Sequence, residues 1–168
     1  MGAGGRLLRT VINMNDTIRI IDFTPPLAQH FSALNKAWLN KYFEVEPVDQ
    51  EVLAAPEAYI IDQGGYIFFA EYKGTVVGTF ALIKLDASTF ELSKMAVDEH
   101  YQGLKIGNAL MQFAIEKAKA LGAQKLILYS NTGLEPAIHL YQKYGFSEVP
   151  VGTTEYKRAN IKMEKELR

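Results

Sequence analysis

The sequence predicts a mixed α+β domain: one central, mostly antiparallel, twisted sheet of about seven strands with helices packed on its faces. Three features predict it. Strand-like runs at 65–72, 75–84 and 89–97 are separated by only a few residues, whereas parallel neighbours need a crossover of about a dozen or more. Apolar residues recur at helical spacing near 27–41, 106–121 and 137–144. Between the last two stretches lies Lys125–Ser130 (KLILYS), a short apolar run of the kind that a sheet covers on both faces.

Each element has its own signal. Thr17–Phe23 (TIRIIDF) is β-branched and reads as a strand that Pro25-Pro26 ends. Leu27, Phe31, Leu34, Trp38 and Tyr42 then share one face of a helix over about 27–41. Pro47 followed by Asp49 starts a short second helix within Glu44–Ala55, closed by Pro56. Lys73-Gly74 is a two-residue hairpin loop, and Asp86-Ala87-Ser88 turns the chain into Thr89–Val97. In that strand Phe90 and Leu92 are apolar, but beyond Lys94 the phase moves to Met95 and Val97. Either one residue is inserted there as a β-bulge, or the strand is buried on both faces past Ser93.

After Tyr101-Gln102-Gly103 a long helix carries Ile106, Leu110, Phe113, the stem of Lys117 and Leu121 on one stripe, and Gly122 supplies a left-handed cap. Asn131-Thr132 offers an N-cap for the next helix, Pro136 falls in its first turn, and the stripe Ala137, Leu140, Tyr141 and Tyr144 ends at Gly145. Phe146–Val149 and Glu155–Glu164 complete the sheet, with the mixed-charge tail as a solvated edge strand. The order is β-α-α-β-β-β-α-β-α-β-β. No repeat, linker or second domain interrupts it.

Composition narrows the chemistry. The 168 residues match one domain, and 18 Lys+Arg against 19 Asp+Glu argue against a broad basic face for nucleic acid or a membrane surface. Zero cysteines exclude disulfides, thiolate catalysis and cysteine-based metal sites. His30, His100 and His139 show no metal-binding spacing, so no metal is expected. No apolar stretch approaches the ~20 residues that span a bilayer, and a cytoplasmic protein is expected. Residues 1–16 read as a disordered leader before a single domain over 17–168, with Met14 a candidate true start; the leader lacks the ~7–15-residue apolar run of a signal peptide.

The informative stretch is the loop Gln102–Gly107 (QGLKIG) between the strand at 89–97 and the long helix. Glycine lets backbone approach a ligand, and the first turn of a helix exposes unpaired N–H groups with partial positive charge. Such a turn suits a phosphate or pyrophosphate on a protein that is not basic. It is neither a P-loop nor a dinucleotide fingerprint, since G-x-x-x-x-G-K-[ST] and G-x-G-x-x-G are both absent.

The run FELSKMAVDEHYQGLKIGNALMQFAIEKA, followed by NTGLEPAIHLYQKYGF, resembles the GCN5-related N-acetyltransferase (GNAT) superfamily. The first block is similar to the family's cofactor motif R/Q-x-x-G-x-G/A, with Gln102 first, Gly107 last and Lys105 where a glycine is usual. The second is similar to a later motif, met by Asn131, Ala137, Tyr141, Gly145 and Phe146. The resemblance covers about Thr17 to Glu164 and implies a GNAT-like sheet, with acetyl-CoA as donor and a primary amine, on a small molecule or a peptide, as acceptor.

Carried over residue by residue, it implies that backbone groups of Met95, Ala96 and Val97 bond the pantetheine arm. Amides from Gln102, Gly103, Leu104, Lys105, Ile106, Gly107 and Asn108 would hold the pyrophosphate. Lys105 is expected to avoid a strained positive φ, altering the loop slightly, with its ammonium either on a phosphate or in water. Asn131 would bond the pantetheine or cap the helix. Tyr141 is the implied general acid toward the leaving thiolate, although it also lies on the apolar stripe. Glu91 is the implied base, or else the solvated half of an alternating strand. In this fold the acceptor would meet Trp38, Tyr42, Phe43, Glu44 and Glu46, aromatic faces and carboxylates that suit an amine; Trp38 and Tyr42 also read as core. The expectation is a direct-attack N-acetyltransferase, with a non-catalytic acyl-CoA-binding module as the alternative and a homodimer through an edge strand permitted.

Overall fold

The computed structural model describes residues 8–12 and 17–167. Its strands are β1 (Leu8–Ile12), β2 (Thr17–Asp22), β3 (Tyr66–Tyr72), β4 (Thr75–Lys84), β5 (Thr89–Val97), β6 (Lys125–Ser130), β7 (Ser147–Val149) and β8 (Ile161–Glu166). The helices are α1 (Ala28–Tyr42), α2 (Pro47–Ala54), α3 (Ile106–Ala120) and α4 (Glu135–Lys143), with a single π-turn at Glu57–Ile61 that the sequence did not signal. The strands form one sheet in the order β1-β2-β3-β4-β5-β6-β8-β7. Every neighbouring pair is antiparallel except β5 and β6, which α3 connects by the crossover that parallel strands require.

Period-two alternation divides the apolar side chains between two faces. Phe68, Phe80, Leu82 and Leu92 pack with Leu110, Met111 and Ala114 of α3. Ile67, Phe69 and Ala81 pack with Phe31 and Leu39 of α1 and Leu53 of α2. Phe31, Phe69 and Phe80 are fully buried, each contributing about 2–3 kcal/mol of apolar transfer. Gly78 brings α3 close: a Cβ there would stand 3.1 Å from Leu110 Cδ1 and 3.2 Å from Ile106 Cγ2. The stem of Lys117 covers the same core, its Nζ lying 5.4 Å from the Tyr66 ring centroid.

Three expectations need correction. Residues 155–160 are not strand; β8 begins only at Ile161, because Arg158 is drawn out of the sheet by acidic groups described below. Nor is β8 a solvated edge, since it lies between β6 and β7 with Ile161 and Met163 buried. And α4 starts after Leu134, not at Asn131-Thr132: the Asn131 carboxamide oxygen accepts from Gly133 N at 2.8 Å and closes its own turn. Within the stretch read as a leader, Leu8–Ile12 pairs with β2, while 1–7 and 13–16 lie outside the described residues.

The phase flip in β5 is a bulge. Thr79 pairs with Ala96 and Ala81 with Ser93, so Phe80 alone faces both Lys94 and Met95, and Lys94 takes a left-handed φ of 56°. On its other side, β5 pairs with β6 only through Thr89–Glu91. Beyond Glu91 the two strands are unpaired, and a wedge opens between them.

Candidate active site

Two cavities occupy this wedge, sharing Trp38, Met95 and Tyr141 as a common wall. The larger, about 470 Å³, is lined by Ala96, Val97, Gln102 and Gly107 with Ala137 and Leu140 of α4. Past the bulge β4 pairs with Ala96 and Val97 on one side, leaving their β6-facing edge free to bond an extended ligand. The first helical amide bond of α3 is Ala109 N to Lys105 O, 3.1 Å, so the N–H groups of Ile106, Gly107 and Asn108 have no partner within the helix.

The loop before α3 reverses one expectation. Lys105 does not avoid a positive φ; it sits at φ 60°, ψ 32°, in the left-handed conformation a glycine would take. The backbone path is therefore the glycine path, and lysine bears a strain of about 1 kcal/mol. Gly103 is also left-handed, at φ 83°. The Ile106 side chain belongs to the core, so only its amide faces this end. Asn108 Oδ1 accepts from Lys143 Nζ at 2.9 Å and from the Tyr144 hydroxyl at 3.2 Å.

The smaller cavity, about 100 Å³, is bounded by Phe43 at the end of α1, Glu91 to Lys94 of β5, Tyr129 of β6, and Tyr156 and Arg158 of the loop before β8. Glu91 is 9% exposed, and burial pushes its carboxyl up to about 7, opposed by Lys94 and by the Ser93 hydroxyl. Burial also raises the Tyr141 phenol, against a hydrogen bond with Ser130. A carboxyl that titrates near neutrality and a phenol on the shared wall are groups able to take up and to give a proton.

Behind this cavity stands an ion cluster. Arg158 clamps Asp49 with Nη1 to Oδ2 at 2.7 Å and Nη2 to Oδ1 at 2.9 Å, and Lys94 Nζ donates to the same Oδ1 at 2.8 Å. Glu46 Oε2 accepts from Arg158 Nη1 at 3.2 Å, and Glu46 N donates to Asp49 Oδ2 at 2.9 Å across the first turn of α2. Burial would raise the fully buried Asp49 carboxyl, but these cations outweigh it and bring it down to about 2. Lys94 Nζ and Arg158 Cζ lie 4.7 and 5.0 Å from the centroid of Tyr156. The cluster thus fixes the left-handed Lys94, and with it the bulge that aims Met95 and Ala96.

Of the residues singled out in the sequence, Glu91, Trp38, Met95, Ala96, Val97, Gln102, Gly107, Asn131 and Tyr141 line one or both cavities. Gly103, Leu104, Lys105, Ile106 and Asn108 line neither cavity. Tyr42 is 43% exposed and lines the larger cavity, while Glu44 is exposed and lines neither. Asn131 belongs to the smaller cavity, and its amide nitrogen is committed to Arg158 O at 2.7 Å. Asp49, Lys94, Tyr156 and Arg158 were missed. Their one signal was a lysine in the middle of an apolar strand, at the point of the phase flip.

Residues 31–146 match the model of the "Acetyltransferase (GNAT) family". The Bacillus subtilis N-acetyltransferase YvbK is 34% identical over 104 residues, covering 60% of this chain and 67% of that protein. A Staphylococcus aureus acetyltransferase of the GNAT family superposes with a TM-score of 0.81 at 24% identity, over 90% of this chain and 99% of the other. The Salmonella typhimurium acetyltransferase yncA, solved with its cofactor acetyl-CoA, superposes with a TM-score of 0.70 at 20% identity, over 90% and 94%. With the bulged strand, the wedge beside it and the glycine-bearing turn into α3, these matches establish that the chain is an acyltransferase and belongs to the GNAT acetyltransferase family.

Proposed function

We propose that this chain transfers the acetyl group of acetyl-CoA to a primary amine by direct attack in a ternary complex. What supports this most is the shared wall of the cavities: Tyr141 lines both, and Glu91 lines the smaller one. The donor fits the larger cavity, whose free β5 edge and unpaired α3 amides match an extended amide-bearing arm ending in a pyrophosphate. Acetyl-CoA supplies an activated thioester carbonyl. Backbone at Met95, Ala96 and Val97 holds the arm, and amides from Gln102 to Asn108 hold the pyrophosphate.

Glu91 takes the proton that the acceptor ammonium must lose before its nitrogen attacks. A base titrating near 7 is matched to that task at neutral pH. Tyr141 donates to the sulfur as the carbon–sulfur bond breaks. The nitrogen, which gave one proton to Glu91 before attack, loses a second as the amide forms, and that proton restores the phenol. CoA therefore leaves as the thiol, and one net proton passes through Glu91 to solvent. Trp38 and Met95 exclude water from the wall between the cavities. Locating the acceptor in the smaller cavity assigns Trp38 to its binding and leaves Tyr42 and Glu44 peripheral.

The test is calorimetry with acetyl-CoA together with an assay of free CoA released across a panel of amines. Binding with amine-dependent release that falls about 100-fold in Tyr141→Phe is expected. Binding without release for any amine would leave an acyl-CoA-binding module, and absence of binding would end the reading.

A further inference from the structure

We propose that the acceptor is a small free amino acid, its amine directed to Glu91 and Tyr141 and its carboxylate held by Arg158. This deepens the acetyl-transfer reading and rests on it.

The charged side chains lining the smaller cavity are Glu91, Lys94 and Arg158. Asp49 and Glu46, which balance the two cations, lie behind them and do not line it. An entering molecule therefore meets two cations and one carboxyl. A polyamine or a lysine side chain flanked by further basic groups would set a second ammonium against Lys94 or Arg158. The Tyr156 ring is already engaged, since Lys94 and Arg158 both lie over it, while Trp38, Phe43 and Tyr129 remain as aromatic walls for the rest of the acceptor.

Arg158 retains capacity for an anion. Of its five N–H donors, those on Nη1 go to Glu46 and Asp49 and one on Nη2 goes to Asp49. The Nε–H and the second Nη2–H remain. Among the described residues no buried side-chain nitrogen or oxygen lacks a partner, so Nε, which neither carboxylate engages, is not sealed in protein. Arg158 lines the cavity, and its Nε–H and second Nη2–H form the side edge of the guanidinium, an edge able to grip a carboxylate with two parallel bonds. Size sets the other limit: about 100 Å³ equals roughly three waters at about 30 Å³ each, which matches an amino acid with a short side chain and excludes a peptide segment within the cavity.

The experiment uses the full chain and follows CoA release with the twenty amino acids, their decarboxylated amines, spermidine and a lysine peptide. Calorimetry of the same compounds is run on protein saturated with CoA. One or more small amino acids should exceed the matching decarboxylated amine at least 100-fold in kcat/KM. Arg158→Gln should raise KM for that amino acid at least tenfold while changing KM for its decarboxylated amine less than about twofold, and Arg158→Lys should restore part of the loss. A melting curve checks that both variants fold. Better use of spermidine, the peptide or a decarboxylated amine overturns the inference while acetyl transfer stands. Amino-acid binding without CoA release for any compound upholds the carboxylate site and removes the transfer reading. Neither binding nor use of any amino acid overturns the inference outright.

Discussion

The larger cavity has an unpaired strand edge and the N-terminal turn of α3 in its wall, whereas the smaller is bounded by buried charged and aromatic side chains. On the first side, free strand groups and helix amides have positions set by the sheet and by α3. On the second, four charged residues from α2 and the residue that caps it, β5 and the loop before β8 hold one another in place. The first construction tolerates changes of side chain and fixes one ligand shape. The second depends on particular atoms, and there a single substitution can alter what binds.

Predictions that separate the two sides follow from this contrast. Glu91→Gln should lower kcat about 10³-fold with the affinity for acetyl-CoA unchanged, measured by steady-state kinetics and calorimetry. The parent rate should rise with pH through about 7 and then level off, and the variant should lack that limb. Stability carries the opposite sign. Because the folded carboxyl titrates near 7 and the unfolded one near 4.5, the unfolded chain releases its proton first. Folding should therefore weaken by roughly 3 kcal/mol as pH rises between those values, a slope that melting curves of Glu91→Gln should lack.

Asp49→Ala leaves Lys94 and Arg158 without their buried partner and should cost about 3 kcal/mol, lowering Tm by about 6–12 °C in calorimetric scans. Tyr141→Phe should reduce kcat about 100-fold with little change in Tm. The smallest effect belongs to the backbone-built side. Lys105→Gly removes a left-handed lysine and should raise stability by no more than about 1 kcal/mol, with CoA affinity changed less than about fivefold in titrations.

The same contrast explains what could be read in advance. Gln102, Gly107 and the strand before them were legible because a backbone-built site leaves a local signature of glycines and spacing. Phe90, Leu92, Met95 and Val97 disclosed the bulge because a shifted register changes the face each residue occupies. The ion cluster left no such trace: Asp49 and Arg158 are 109 positions apart, and Pro47 and Asp49 marked only a helix start. Arg158 sat in a mixed-charge tail whose residues, taken one by one, resemble any solvated strand. The β8 boundary failed for the same reason, since a long-range ion pair and not local propensity decides where that strand begins.

Lys94, Asp49 and Arg158 come from segments separated by 45 and 109 positions, yet one carboxylate is bonded to both bases. Loss of the acid strands two positive groups in apolar surroundings, and loss of either base weakens the hold on the other. Across kindred sequences these three sites should consequently change as a set or hardly at all, while the solvent-facing positions around them drift freely.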